Sequence, residues 1–356
     1  MPGKIFITAG ELSGDLNASL LVRAARELDP GIEFVGIGGP KMRAAGVRLL
    51  ADSSSWGSVG ILEGIARFPR IYPVGRAMPR FLREEKPDLY VPVDYRVFSI
   101  RSARIAKEMG IPVVYYFAPV NWFGTGSKRF QQMRGLIDLA LLAFPFSNDE
   151  YRKAEIPFEY IGHPLVDSAK PEMEKSAAYE YFGLDPDKPV IGLMPGSRFQ
   201  EVGRMAPVFA RAAEMISEKL PGAQFPLFLA SEVLEPLTKK RVGGAPVQIV
   251  REKIYDFMNV CNVIVLCSGT AAMEAMLMRK PMIINYKLSW FTAWLIRRTV
   301  DPPMVGMPNI FADEFVAPEL IQEECTPENV AEKALELYSN EELKTTMVEK
   351  LDKVSG

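Results

Sequence analysis

Three short stretches carry residues that could do chemistry. Gly10-Glu11-Leu12-Ser13-Gly14-Asp15 follows the apolar run 4–9. A glycine turn directly after a strand often cradles phosphate, through free N–H groups and the positive end of the next helix. Here Glu11 and Asp15 would repel an anion. The spacing is also not the G-x-G-x-x-G of a dinucleotide fingerprint. Gly10 and Gly14 fit a tight strand-to-helix turn with Ser13 or Asp15 as N-cap. They fit equally a cleft wall whose acids accept hydrogen bonds from sugar hydroxyls.

The other two stretches suit an anion. In "LMPGSRFQEV" (193–202), Gly196 lets the backbone approach closely, Ser197 can donate and Arg198 offers a bidentate fork. In "VLCSGTAAMEAML" (265–277), Ser268-Gly269-Thr270 opens a helix whose N–H groups and dipole favour negative charge. Glu274 lies one turn on, on the face of Thr270, where a carboxylate can take both ribose hydroxyls. Taken singly, each turn is also an ordinary capped helix start, with Arg198 solvated and Glu274 on the surface. Two such turns in one half of the chain, with a displaced carboxylate, predict a nucleotide-diphosphate-sugar site.

These turns need strands to hold them. Apolar runs at 4–9, 33–38, 87–93, 111–118 and 137–144 alternate with helical patterns, and the rhythm restarts at 189–194, 225–230, 246–250, 262–267 and 281–286. Strand–helix alternation predicts βαβ units, and continuous apolar strands predict parallel sheets covered on both faces. The fold class expected is α/β, with two Rossmann-like doubly wound domains facing a cleft. The domains expected are 1–165 and 189–339, joined by a polar, proline-punctuated linker, 166–188. A last helical segment, 340–356, could cross back to the first domain.

The chain has 356 residues, enough for two cores, and a formal net charge of -2, which gives no global basic field for nucleic acid. Its three cysteines have no paired spacing, and His163 is its single histidine. No disulfide framework, zinc cluster or histidine-rich metal site is expected. His163 suits a structural hydrogen-bonding role better than that of a base. With no signal-like N-terminus and no run of membrane-spanning length, a cytoplasmic protein is expected.

At these residues the chain resembles the lipid-A-disaccharide synthase family. The resemblance runs in the same order along nearly the whole chain. It takes in "GELSGD" (10–15), "GIGGPKMRAAG" (36–46), "VGILEG" (59–64), "YIGHPLVD" (160–167), "LMPGSRFQEV" (193–202), "SGTAAMEAML" (268–277), "PNIFA" (308–312) and "LIQEECTPENVA" (320–331). It implies a GT-B-type inverting glycosyltransferase. The reaction would move 2,3-diacylglucosamine from UDP to the 6-hydroxyl of 2,3-diacylglucosamine 1-phosphate. Asp94, ending "PDLYVPVD", matches the family's proposed base. Arg198, the Ser268–Thr270 helix start and Asn309 would stabilise the departing diphosphate. That site is expected to work without an Asp-x-Asp pair holding Mg²⁺ or Mn²⁺, so neither metal nor cofactor is expected. Gly10, Glu11, Ser13, Gly14 and Asp15 would then meet the acceptor, together with Trp122 and Arg129. Two departures from the family lie on that side, at "VDYRVFS" (93–99) and "APVNWFGTGSKR" (118–129). The resemblance therefore speaks more directly to the UDP-sugar half than to the acceptor.

An acylated substrate lives in a membrane. The stretch 61–86 mixes apolar residues with Arg67, Arg70, Arg76, Arg80 and Arg83, which suits the headgroup layer of the inner membrane. It suits equally a helix packed on the sheet with a solvated basic face. "WFTAWLIRR" (290–298) is a weaker candidate. The expected partners are the UDP-sugar, the acylated acceptor and, peripherally, that membrane, with a homodimer left open. Competing functions are a related UDP-N-acetylglucosamine transferase or epimerase with another acceptor, and a nonenzymatic sugar-nucleotide or lipid binder.

Overall fold

The computed structural model describes residues 3–10, 12–53, 56, 61–94, 96–120, 130–289, 293 and 304–355. The chain divides into two compact units, Met1–Pro164 and Leu165–Gly356. In the first, seven parallel strands run in the order β3-β2-β1-β4-β5-β6-β7. They are β1 (Lys4–Ala9), β2 (Glu33–Gly38), β3 (Arg48–Asp52), β4 (Leu89–Val93), β5 (Val114–Tyr116), β6 (Leu139–Leu142) and β7 (Phe158–Tyr160). Neighbouring side chains on a strand point to opposite faces. Phe6 accordingly packs with Met78, Leu82 and Phe98 from helices Ile61–Glu85 and Arg96–Glu108. Ile7 packs with Ala18, Val22 and Met42, from the helices on the other face. Both faces are covered, which is why the central strands carry no polar alternation.

The second unit repeats the plan with six strands in the order β10-β9-β8-β11-β12-β13. These are β8 (Ile191–Met194), β9 (Phe225–Phe228), β10 (Val247–Val250), β11 (Val263–Cys267), β12 (Met282–Tyr286) and β13 (Glu319–Ile321). Helix Phe199–Lys219 buries Val202, Met205, Ala206, Phe209, Ala213 and Ile216, an apolar stripe at helical spacing. Helix Pro327–Ser339 packs against it.

The stretch 166–188, expected as a linker, belongs to the second unit. There Asp256 accepts the N–H groups of Glu172 and Met173, and Phe182 meets Phe257 edge-on. The last helix, Glu341–Ser355, buries Met347 and Leu351 and packs on the helices Thr270–Leu277, Met307–Ala312 and Pro327–Ser339 of its own unit.

Candidate functional site

Each sheet reverses its winding direction once. In an open parallel sheet that reversal opens a crevice at the carboxyl ends of the two central strands. In the first unit it lies between β1 and β4, where Ala9 pairs with Val93. Gly10 and Asp94 therefore leave the sheet side by side. Helix Leu12–Leu28 begins there, with Ser13 in its first turn. Gly14 is buried near Ala9 and the Val93 carbonyl, which brings the helix close to the sheet. Glu11, Trp122 and Arg129 lie outside the described residues.

Asp94 is exposed, although β4 is buried up to Val93. Its φ is +52°, a left-handed conformation that an aspartate adopts at some cost. The Ser99 Oγ and the Tyr115 hydroxyl each donate to its carbonyl at 2.8 Å. Its own N–H donates to the Tyr116 carbonyl at 3.3 Å.

Asp15 departs from expectation. It is 1% exposed, and its carboxylate accepts the N–H groups of Gly39, Lys41 and Met42, each at 2.9 Å. It caps the short helix Pro40–Ala44 from outside that helix, and its burial keeps it from presenting that carboxylate to a sugar. Its role is architectural, because its reach ends on orphan helix donors.

In the second unit the reversal lies between β8 and β11, where Met194 pairs with Leu266. The two turns expected to hold phosphate are thus adjacent. Gly196 takes φ +112°, and a side chain there would run into Glu201 at 2.6 Å. Glu201, unmarked by the sequence reading, is the hub of this turn. Its Oε2 accepts the N–H of Ser197 at 2.9 Å and that of Arg198 at 3.1 Å. Its Oε1 accepts Arg198 Nη1 at 2.6 Å. The backbone donors expected for an anion are therefore engaged by Glu201, and the turn's contribution passes to the oriented Arg198 guanidinium. Tyr286, ending β12, lies in the same field. Burial raises its phenol above the ordinary range, the Glu201 carboxylate adds to this, and Arg198 and Arg204 oppose it.

On the adjacent turn, Ser268 Oγ donates to the Val305 carbonyl at 3.0 Å, and the Ser268 N–H to the Asn285 carbonyl at 2.8 Å. Gly269 precedes Thr270, the first residue of the helix. Glu274 is not a surface residue. It is 6% exposed and accepts the Tyr255 hydroxyl at 3.2 Å. Burial first, then that carboxylate, keeps the Tyr255 phenol protonated.

Asn309 also departs from expectation. It is fully buried, and its amide is saturated. Nδ2 donates to the Ala317 carbonyl and to Glu319, and Oδ1 accepts the N–H groups of Val316 and Ala317, all at 2.7–2.9 Å. It cannot also hold a diphosphate. With Glu319, which accepts the N–H groups of Val305 and Gly306, it shapes the segment that meets Ser268. An acid opening a short edge strand was the available signal for Glu319.

The chain's one Asp-x-Asp pair, Asp185 and Asp187, precedes β8 at the opposite end of that sheet, where Asp185 pairs with Lys188 at 3.0 Å. Among the described residues no group of three or more His, Cys, Asp or Glu could hold a metal ion. All three cysteines are buried and free, and burial raises their thiols. His163 packs edge-on to Phe117 at 4.8 Å and near Phe144 at 5.5 Å. Burial lowers its pKa to about 4, so it is neutral at neutral pH. Of the basic stretch, Met78 and Leu82 are buried while Arg76, Arg80 and Arg83 are exposed. The candidate segment 290–298 lies outside the described residues except for Ala293. No described helix is long and apolar enough to cross a membrane.

Comparison with known proteins agrees with this geometry. Residues 5–355 match the family described as lipid-A-disaccharide synthetase. The lipid-A-disaccharide synthase of Geobacter metallireducens is 41% identical over 331 residues, 92% of this chain and 86% of that one. That of Trichlorobacter lovleyi is 37% identical over 355 residues, 99% of this chain and 92% of its own. Among solved structures, the UDP-GlcNAc 2-epimerase of Neisseria meningitidis bound to UDP-GlcNAc superposes with a TM-score of 0.65 at 14% identity, covering 98% of this chain and 94% of that one. The calicheamicin glycosyltransferase CalG4 does so at 0.58 and 14%, covering 100% and 96%. At such identity these two share the fold, the GT-B-type architecture of paired Rossmann-like units. The match along nearly the whole length, together with two central crevices bearing an acid in one unit and an arginine-marked turn in the other, leads to one conclusion: the chain belongs to the lipid-A-disaccharide synthetase family of glycosyltransferases.

Proposed function

We propose that the chain transfers 2,3-diacylglucosamine from UDP to the 6-hydroxyl of 2,3-diacylglucosamine 1-phosphate, with inversion, giving a β-1,6-linked disaccharide 1-phosphate and UDP. The observation that carries this reading is the exposed, conformationally fixed Asp94 at the first unit's crevice. Its carboxylate takes the proton of the acceptor hydroxyl, which is a poor nucleophile until then. That oxygen bonds to the donor's anomeric carbon as the bond to the UDP oxygen breaks, and the electron pair leaves with UDP. Arg198, oriented by Glu201, and the start of helix Thr270–Leu277 stabilise the charge that grows on the diphosphate. Glu274 is assigned to the ribose and Gly10, Ser13 and Gly14 to the acceptor side. The exposed Arg76, Arg80 and Arg83 would rest on anionic headgroups of the inner membrane, from the cytoplasmic side.

UDP release is measured in mixed micelles without metal, with UDP-2,3-diacylglucosamine and with or without diacylglucosamine 1-phosphate. Acceptor-dependent release with a disaccharide product is expected. UDP binding with no acceptor-dependent turnover would overturn the acceptor and keep the nucleotide site. Flotation with anionic vesicles tests the surface: no binding at low salt removes the membrane assignment.

A further inference from the structure

The conformation of Asp94 has a visible cause. An L-residue stays in the left-handed region when its surroundings over-determine it. Here the surroundings are two hydroxyls from different elements, Ser99 on helix Arg96–Glu108 and Tyr115 on β5, both donating to one carbonyl oxygen at 2.8 Å. A carbonyl has two lone pairs, and both are taken. Ser99 and Tyr115 are buried, so water does not compete. A serine in a helix usually turns its hydroxyl to a carbonyl of its own helix. Ser99 instead reaches outside the helix to residue 94. The peptide after Asp94 is thus pinned to β5 and to the helix at once, while the residue itself remains exposed. Burial holds the Tyr115 phenol protonated far above its ordinary range, so it remains a donor at any working pH.

We propose that Ser99 and Tyr115 are positioning residues for the transfer, a double hydroxyl clamp on the Asp94 carbonyl that aims the Asp94 carboxylate at the acceptor. This rests on Asp94 being the base. Neither hydroxyl touches the reacting atoms. Phenylalanine would fill the volume of Tyr115 and alanine most of that of Ser99, so packing alone does not require either oxygen. Aim does require them, since a displacement of about 1 Å at a reacting group can cost on the order of 100-fold in rate.

The test uses the full chain with Tyr115→Phe, Ser99→Ala, Ser99→Thr and, as reference, Asp94→Asn. Turnover is followed against pH, together with the KM for UDP-sugar and the thermal transition. Tyr115→Phe and Ser99→Ala are each expected to lower kcat by ~10-fold with KM within ~2-fold, since the loss is in the transition state. The acid limb of the kcat–pH profile should move, because the carboxylate changes surroundings. Ser99→Thr, which keeps the hydroxyl, should restore most of the rate. A rate within ~2-fold of the parent in both variants, with Asp94→Asn inactive, overturns the clamp and leaves the base in place. A lowered rate with an unmoved pH profile and no rescue by Ser99→Thr overturns it as well and makes the hydroxyls merely structural. Full turnover in Asp94→Asn removes the base, and the clamp's role with it.

Discussion

The two units place different chemistry at the same point of one topology. In each, the winding reverses beside the first strand, and the residues following two central strands meet at the carboxyl edge. In the first unit that edge carries Asp94, its backbone tied by hydroxyls. In the second it carries Ser197, Arg198, Ser268 and Thr270, with Glu201 beneath. The fold supplies the location and the residues leaving the strands supply the function. Each crevice also carries a buried acid whose carboxylate accepts hydrogen bonds from the protein's own backbone. Asp15 caps a neighbouring helix, and Glu201 holds its own turn and aims an arginine. A carboxylate near a crevice is thus informative only once its hydrogen-bond partners are counted.

The sharpest way to break this contrast is to exchange the charge on one side. Asp94→Asn should lower kcat by ~10²–10⁴-fold, the range of general-base catalysis, and leave UDP affinity unchanged in a titration. Retained turnover would make the first crevice a binding surface only. Arg198→Ala should cost ~10²–10³-fold in turnover and weaken UDP as well, because its charge-assisted contact serves ground and transition state together. Glu201→Gln should do less, ~10-fold, by loosening the arginine rather than removing it. Were Glu201→Gln the more damaging, the hub would be touching substrate.

The architectural residues should behave oppositely. Asp15→Ala and Asn309→Ala each strand several buried donors or acceptors and should lower stability by ~1–3 kcal/mol in denaturant unfolding, with kcat per folded molecule preserved. A normal melt with lost UDP binding in Asn309→Ala would return that residue to the diphosphate. The smallest effect belongs to His163. Its folded pKa, about 4, lies below the ordinary 6.5, so the unfolded chain binds more protons between those values. Stability from this group is therefore full above pH 6.5 and declines as pH falls towards 4. His163→Gln should flatten that part of the stability–pH curve and leave the rate between pH 7 and 8 unchanged.

Central strands were legible because burial on both faces leaves uninterrupted apolar runs, as in "KIFITA" and "VIVLC". The strands that the apolar pattern did not mark are β3 (RLLAD), β7 (FEY) and β13 (ELI), each at the edge of its sheet. Edges are short and polar because half their surface faces water and bare edges invite pairing. The glycine turns, Asp94 and Arg198 were legible because local chemistry marks them: a turn after a strand, an acid at a strand end, a guanidinium beside a helix start. By itself the sequence determined two α/β halves, the turns that end their first strands and, by resemblance, the family. The tertiary structure alone decided which side chains are spent on the fold. Asp15 meets the helix at 40–44, Asn309 meets Glu319, and Tyr115 meets Asp94, across 10–27 residues of chain. A polar group's capacity is set by the partners that folding brings to it, and spacing along the chain does not name them.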